Sequence, residues 1–124
     1  MKQQVSTDAA PKAAHILSQA IISNDTIYVA GQIHSTPDCV IVDGTTEEKV
    51  GQIMNNIAEI LKAADAGLND IVKVVIYVTD MAQMPKLNEA YPSYFREPYP
   101  VREAICVKEL PLGATIEISV VATK

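Results

Sequence analysis

Two side chains near the end of the chain could handle a small organic acid. Arg102 sits at the start of an apolar, β-prone run from Pro100 to Val107. Glu117 lies between Ile116 and Ile118 in a second such run. The connection between them, Leu110-Pro111-Leu112-Gly113, carries Pro and Gly, so the two runs read as successive strands. Side chains alternate along a strand, so Glu117 points away from its isoleucine neighbours and shares a face with Thr115 and Ser119. An arginine keeps its proton, and its planar fork suits a carboxylate. A glutamate in an apolar strand costs free energy unless it is paired, hydrated or used. Two readings follow. One is a structural Arg–Glu ion pair. The other is a site in which Arg102 grips a substrate carboxylate and Glu117 directs water.

No other residue set competes. Cys39 falls in a loop-like segment and Cys106 in a strand-like one, too few for a disulfide framework or a metal site. His15 and His34 stand apart from any Cys or carboxylate cluster and read as surface or loop histidines. The expectation is therefore a site with no metal and no cofactor. A net charge of −5 without a basic stripe weighs against nucleic-acid binding. Met1 to Ala10 is polar, so no signal peptide is expected. No run approaches the roughly 18 apolar residues of a membrane span. A reducing, cytoplasmic setting fits these features.

The elements that must position Arg102 and Glu117 can be placed from patterning. At 124 residues the chain is expected to form a single domain over 1–124. Met1 to Ala14 reads as a loose polar lead-in. Ile16 to Ile22 reads as a strand, paired through a turn at Ser23-Asn24-Asp25 with a second strand at Thr26 to Ala30. Gly31, at that strand's end, permits a bulge or a close backbone approach. Cys39 to Val42 could add a small strand. Thr45 and Glu48 form a capping-box signature. Behind them Val50, Ile53, Met54, Ile57, Ile60, Leu61 and Ala64 keep the spacing of an amphipathic helix, with Gly67 as its stop. Ile71 to Val78 reads as a central strand buried on most of both faces. A second helix begins near Pro85 and meets Pro92, which has no N–H to offer the Asn88 carbonyl. The order predicts an α+β or mixed α/β layer with helices over one sheet face. The uncovered face is too apolar for water, which predicts oligomerisation.

These pieces, in this order and spacing, resemble the Rid family, also called YjgF. The resemblance runs from about Ala9 to Ala122. It rests on Ser18-Gln19-Ala20, Gly31-Gln32-Ile33, Asn56-Ile57 with Ile60-Leu61, Val72-Lys73, Asp80, Asn88 with Tyr91, Tyr94-Phe95, Pro100 with Arg102, and Leu110 to Gly113 with Ile116 to Ile118. It implies a chorismate-mutase-like fold: a mixed β-sheet with two helices packed on one face, in a trimeric, barrel-like assembly. It also implies small 2-imino or 2-oxo acids bound in clefts between subunits of a homotrimer. The implied reaction hydrolyses 2-iminobutanoate or 2-iminopropanoate to 2-oxo acids and ammonia, with Arg102 and Glu117 as the catalytic pair and Gly31 and Asn88 at the substrate. Three positions depart from the family's pattern. Leu17 replaces a tyrosine, Ala30 a serine, and Ala104 a cysteine that varies among members. An imine is already activated toward water, so holding the acid and placing a water suffices. Other readings are a non-catalytic module that binds small carboxylic acids, and, behind it, a ribonuclease or translation inhibitor or a chaperone.

Overall fold

A computed structural model describes residues 1–124. Six strands form one sheet: β1 (Lys2–Val5), β2 (Ala20–Ser23), β3 (Thr26–Ile33), β4 (Ile71–Val78), β5 (Val101–Cys106) and β6 (Ile116–Thr123). Their spatial order is β1-β2-β3-β6-β4-β5. Every pairing is antiparallel except β4 with β5, which is parallel. Two helices, α1 (Thr46–Ala63) and α2 (Met84–Ala90), complete the α+β architecture. Helix α1 packs on β3, β6 and α2.

The core is built where the patterns agree. Strand β6 alternates buried Ile116, Ile118, Val120 and Ala122 with half-buried Glu117, Ser119 and Val121. Helix α1 lays Val50, Ile53, Met54, Ile57, Ile60 and Leu61 against that face. Its capping box forms as expected: the Glu48 N–H donates to Thr45 Oγ1 at 3.1 Å, and the Thr45 N–H to Glu48 Oε1 at 2.9 Å.

Several expectations need correction. The polar lead-in contains β1, an edge strand. With Lys2, Gln3 and Gln4 all exposed, it has no alternation to betray it, and polar side chains suit an unprotected edge. The strand expected from Ile16 starts only at Ala20. Before it, the Ile16 and Leu17 N–H groups both donate to the Ala13 carbonyl, at 2.9 and 3.0 Å, and close a turn. Cys39 to Val42 makes only an isolated bridge, Ser35 to Ile41. Helix α1 stops before Gly67. Asp65 takes a left-handed φ of 58°, the Ala66 N–H donates to the Leu61 carbonyl, and the Asp65 N–H to that of Lys62. This is the six-to-one, five-to-two closure that usually recruits glycine, and aspartate is among the few side chains that tolerate it.

Strand β4 is buried on one face only. Val74, Ile76 and Val78 are enclosed, whereas Val75 and Tyr77 are half-buried and Val72 and Lys73 exposed. Its far side belongs to a face that no element of the chain covers. Tyr28 and Ile105 lie exposed on that face.

Candidate functional site

Glu117 occupies the open side of the sheet. It pairs with Tyr77 of β4 and Ile33 of β3, and its carboxylate lies against the β3 backbone at Gly31. A Cβ at Gly31 would strike Glu117 Oε2 and stand 2.9 Å from its Cδ. The register of β3 slips between Val29 and Gln32, so the bulge that glycine permits is present. Burial pushes the Glu117 carboxyl above its ordinary value of 4.5, with no ion pair to restrain it. A half-buried carboxyl whose pKa burial raises is a candidate for proton transfer.

Glu117 lines a cavity of about 230 Å³ together with Leu17, Ala30, Gly31, Pro111 and Leu112. Lys12 stands at its rim, 2.6 Å from Asp8. Four of the residues expected from the sequence thus converge here: Leu17, Ala30, Gly31 and Glu117.

The other three lie elsewhere. Arg102 pairs with Val74, and Ala104 with Ile76; both partners face the core, so Arg102 and Ala104 project on the helix side. The Arg102 guanidinium carbon sits 4.9 Å from the centroid of the Tyr91 ring, within cation–π range. Asn88 is exposed on α2. Arg102 and Glu117 are therefore on opposite faces of one sheet, with β4 between their strands. The ion pairs of the chain are Lys12–Asp8 and Lys73–Glu103, so the structural Arg–Glu pair is not formed. One chain presents a carboxylate pocket on one face and an arginine at the β5 edge of the other.

Three buried polar residues fasten the segments around the cavity, Gln19 as part of its lining and Asn56 and His34 from behind it, and none was singled out from the sequence for this role. Gln19 accepts from the Thr7 N–H at 2.7 Å and donates to the carbonyls of Thr7, Ala10 and Pro11 at 3.0, 3.1 and 2.8 Å. It clamps the segment before β2 so that Pro11 and Leu17 reach the cavity. Asn56 of α1 donates to the Ser35 carbonyl at 2.9 Å. His34 lies in the bend that follows β3, a loop residue as expected, but at 1% exposed it is buried rather than at the surface. Its Nδ1 meets the Val42 carbonyl at 2.8 Å and its Nε2 accepts the Thr115 N–H at 2.9 Å. Both contacts are satisfied by a neutral ring protonated on Nδ1. Burial, more than any nearby charge, lowers its pKa below the ordinary 6.5.

Comparison with known proteins assigns the chain. The sequence model of the family described as Endoribonuclease L-PSP matches residues 7–124. The chain belongs to this family, the Rid/YjgF family. A RutC family protein of Pyrococcus horikoshii is 41% identical, over 100% of this chain and 99% of the other. A human 2-iminobutanoate/2-iminopropanoate deaminase is 37% identical, over 98% and 90%. Protein MMF1, mitochondrial, of Saccharomyces cerevisiae is 38% identical, over 97% and 83%. The crystal structure of yeast Mmf1 superposes with a TM-score of 0.96 at 37% identity, covering 100% and 99%. The six-stranded sheet and its two helices are thus the Rid-family fold. No helix of the chain is long and apolar enough to cross a membrane.

Proposed function

We propose that this Rid-family chain hydrolyses 2-imino acids, and their enamine tautomers, to 2-oxo acids and ammonia. The single observation that carries the reading is the Glu117 carboxyl, held over Gly31 in a cavity and raised in pKa by burial. In the proposed site Arg102 of a neighbouring protomer receives the substrate carboxylate through two parallel N–H···O bonds. Asn88 and Ala104 of that protomer flank the bound acid in this proposal. Water adds its oxygen to C2 of the imine while Glu117 takes one water proton and passes it to the imine nitrogen, which gives a carbinolamine. Glu117 then takes the hydroxyl proton and delivers it to the amino nitrogen, so that the C–N bond breaks and ammonia leaves as the carbonyl forms. The name of the human relative supports the substrate class. The separation of Arg102 and Glu117 onto opposite faces supports a closed homo-oligomer, with a homotrimer as the form proposed. A cytoplasmic setting accords with two exposed, unbridged cysteines, Cys39 and Cys106.

The test is imine hydrolysis coupled to a threonine dehydratase. Arg102→Ala removes a charge-assisted bidentate contact and is expected to raise KM about 10–100-fold with the melting temperature retained. Undiminished activity in that variant would refute the assignment of Arg102.

A second reading has its own observation. Leu17 and Ala30 leave the cavity without two hydroxyls, which favours a module that holds 2-oxo acids without turning imines over. Binding of 2-oxobutanoate by calorimetry, with no ammonia released from freshly made imine, would select it. The net charge of −5, with the rim cation Lys12 tied to Asp8, disfavours an RNA substrate despite the family's description.

A further inference from the structure

Arg102 is an exposed cation with no counter-charge at ion-pair distance in its own chain. An arginine on an open strand samples many rotamers, and ordering such a side chain costs free energy. What steadies it here is a ring. The guanidinium carbon lies 4.9 Å from the centroid of Tyr91, and that ring is pinned by its surroundings. Tyr91 is 6% exposed. It stacks on Phe95 with centroids 4.7 Å apart and planes tilted by 39°. Its N–H donates to the Leu87 carbonyl, and Pro92 turns the chain out of α2 into the short 3₁₀ segment Tyr91–Tyr94. The Tyr91 hydroxyl is buried and has no hydrogen-bond partner. Burial pushes its pKa above the ordinary 10, against the pull of Arg102. The side chain is therefore neutral, and the ring rather than the hydroxyl meets the cation.

We infer that Tyr91 is the positioning residue for Arg102: its ring face holds the guanidinium on the helix side of the sheet and leaves the N–H fork free for a carboxylate. The inference rests on the reading of Arg102 as the carboxylate anchor and deepens it. A carboxylate in place of Tyr91 would hold the cation as firmly, but it would occupy the fork, and an incoming acid would have to displace it. A π face attracts the cation through its quadrupole and accepts none of the N–H groups in the guanidinium plane. The arginine is thus ordered before the acid arrives, which lowers the entropic cost of binding. Such a contact is worth about 3- to 30-fold in affinity, rising as solvent is excluded. It acts on the bound acid equally before and during reaction, so it shows in KM and not in kcat.

The test follows binding of 2-oxobutanoate by calorimetry and imine hydrolysis in the dehydratase-coupled assay. Tyr91→Leu is expected to weaken binding and raise KM by about 3- to 30-fold, with kcat within about twofold of the unaltered chain. Tyr91→Phe keeps the ring and is expected to match the unaltered chain in both readouts. The same phenylalanine carrying increasing numbers of ring fluorines keeps the shape and drains the negative face, so Kd should climb with fluorination. In an Arg102→Ala background all of these changes should vanish, since the ring then has no cation to hold. Melting curves establish that each variant folds, and the fluorinated series carries the test where Tyr91→Leu does not fold. A Kd indifferent to fluorination, or a Tyr91→Leu effect that persists without Arg102, reduces Tyr91 to packing and overturns the inference, while imine hydrolysis by the unaltered chain still stands. The expected pattern in binding, with no imine turned over, upholds the role of the ring and defeats the hydrolase reading. Neither binding nor hydrolysis by the unaltered chain defeats both.

Discussion

A methyl group at position 31 has nowhere to go. Gly31 lies directly beneath Glu117, so any larger residue there must push the carboxylate out of the cavity or displace β3. Gly31→Ala is therefore expected to cut imine hydrolysis by about 10²-fold or more, the scale of a misplaced acid–base group. Its circular dichroism spectrum should stay that of the unaltered chain. Wild-type rates in that variant would show that the close approach of Glu117 to β3 is irrelevant to turnover. At this scale Glu117 was legible because a charge in an apolar strand has few innocent explanations. Gly31 was legible only as a possible bulge, since the sequence does not say which side chain crosses it. Gln19 and His34 were not legible as fasteners of the segments around the cavity. Their partners are backbone groups of distant segments, and a polar side chain bonded to backbone leaves no complementary residue to find.

Among the elements, α1 and β6 were readable because each satisfies its pattern inside the chain. The helix stripe and the alternating isoleucines of β6 bury against each other. β1 was hidden because an edge strand with polar side chains carries no period. The early turn was mistaken for strand because Ile16 and Leu17 are apolar yet point outward, Leu17 toward the cavity. The end of α1 was misplaced because Asp65 accepts the left-handed position that glycine usually fills. The loop between β3 and α1 is fastened to the start of β6 by His34, and this link is sensitive to acid. A second proton on the ring would end its acceptance of the Thr115 N–H, and burial already opposes the charge. Because the folded pKa lies below the ordinary 6.5, the unfolded chain binds the proton first. The stabilisation is complete above pH 6.5 and is lost as pH falls below it. Urea midpoints measured between about pH 7 and pH 5 should decline for the unaltered chain, and decline less for His34→Gln. Parallel declines would remove His34 as the cause.

For the whole molecule, the governing fact is that one sheet has a finished side and an unfinished side. The helices complete the first. The second leaves Tyr28, Val101 and Ile105 facing outward, an apolar expanse that a solitary chain gains nothing by wetting. The carboxylate pocket is on that unfinished side and Arg102 is on the other. A single chain carries both halves of the proposed machinery but does not bring them together.

That division makes the proposed machinery genetically separable. Arg102→Ala and Glu117→Gln chains, each strongly impaired as pure assemblies when assayed at substrate well below the raised KM, carry complementary defects. Unfolded together and refolded as a mixture, they should produce some junctions in which an intact arginine from one parent faces an intact glutamate from the other. Turnover should reappear in the blend, at a fraction of the wild-type rate, and be missing when the two preparations are merely combined after folding without exchange. A blend as silent as its parents would overturn the proposal that Arg102 and Glu117 of different protomers share one centre.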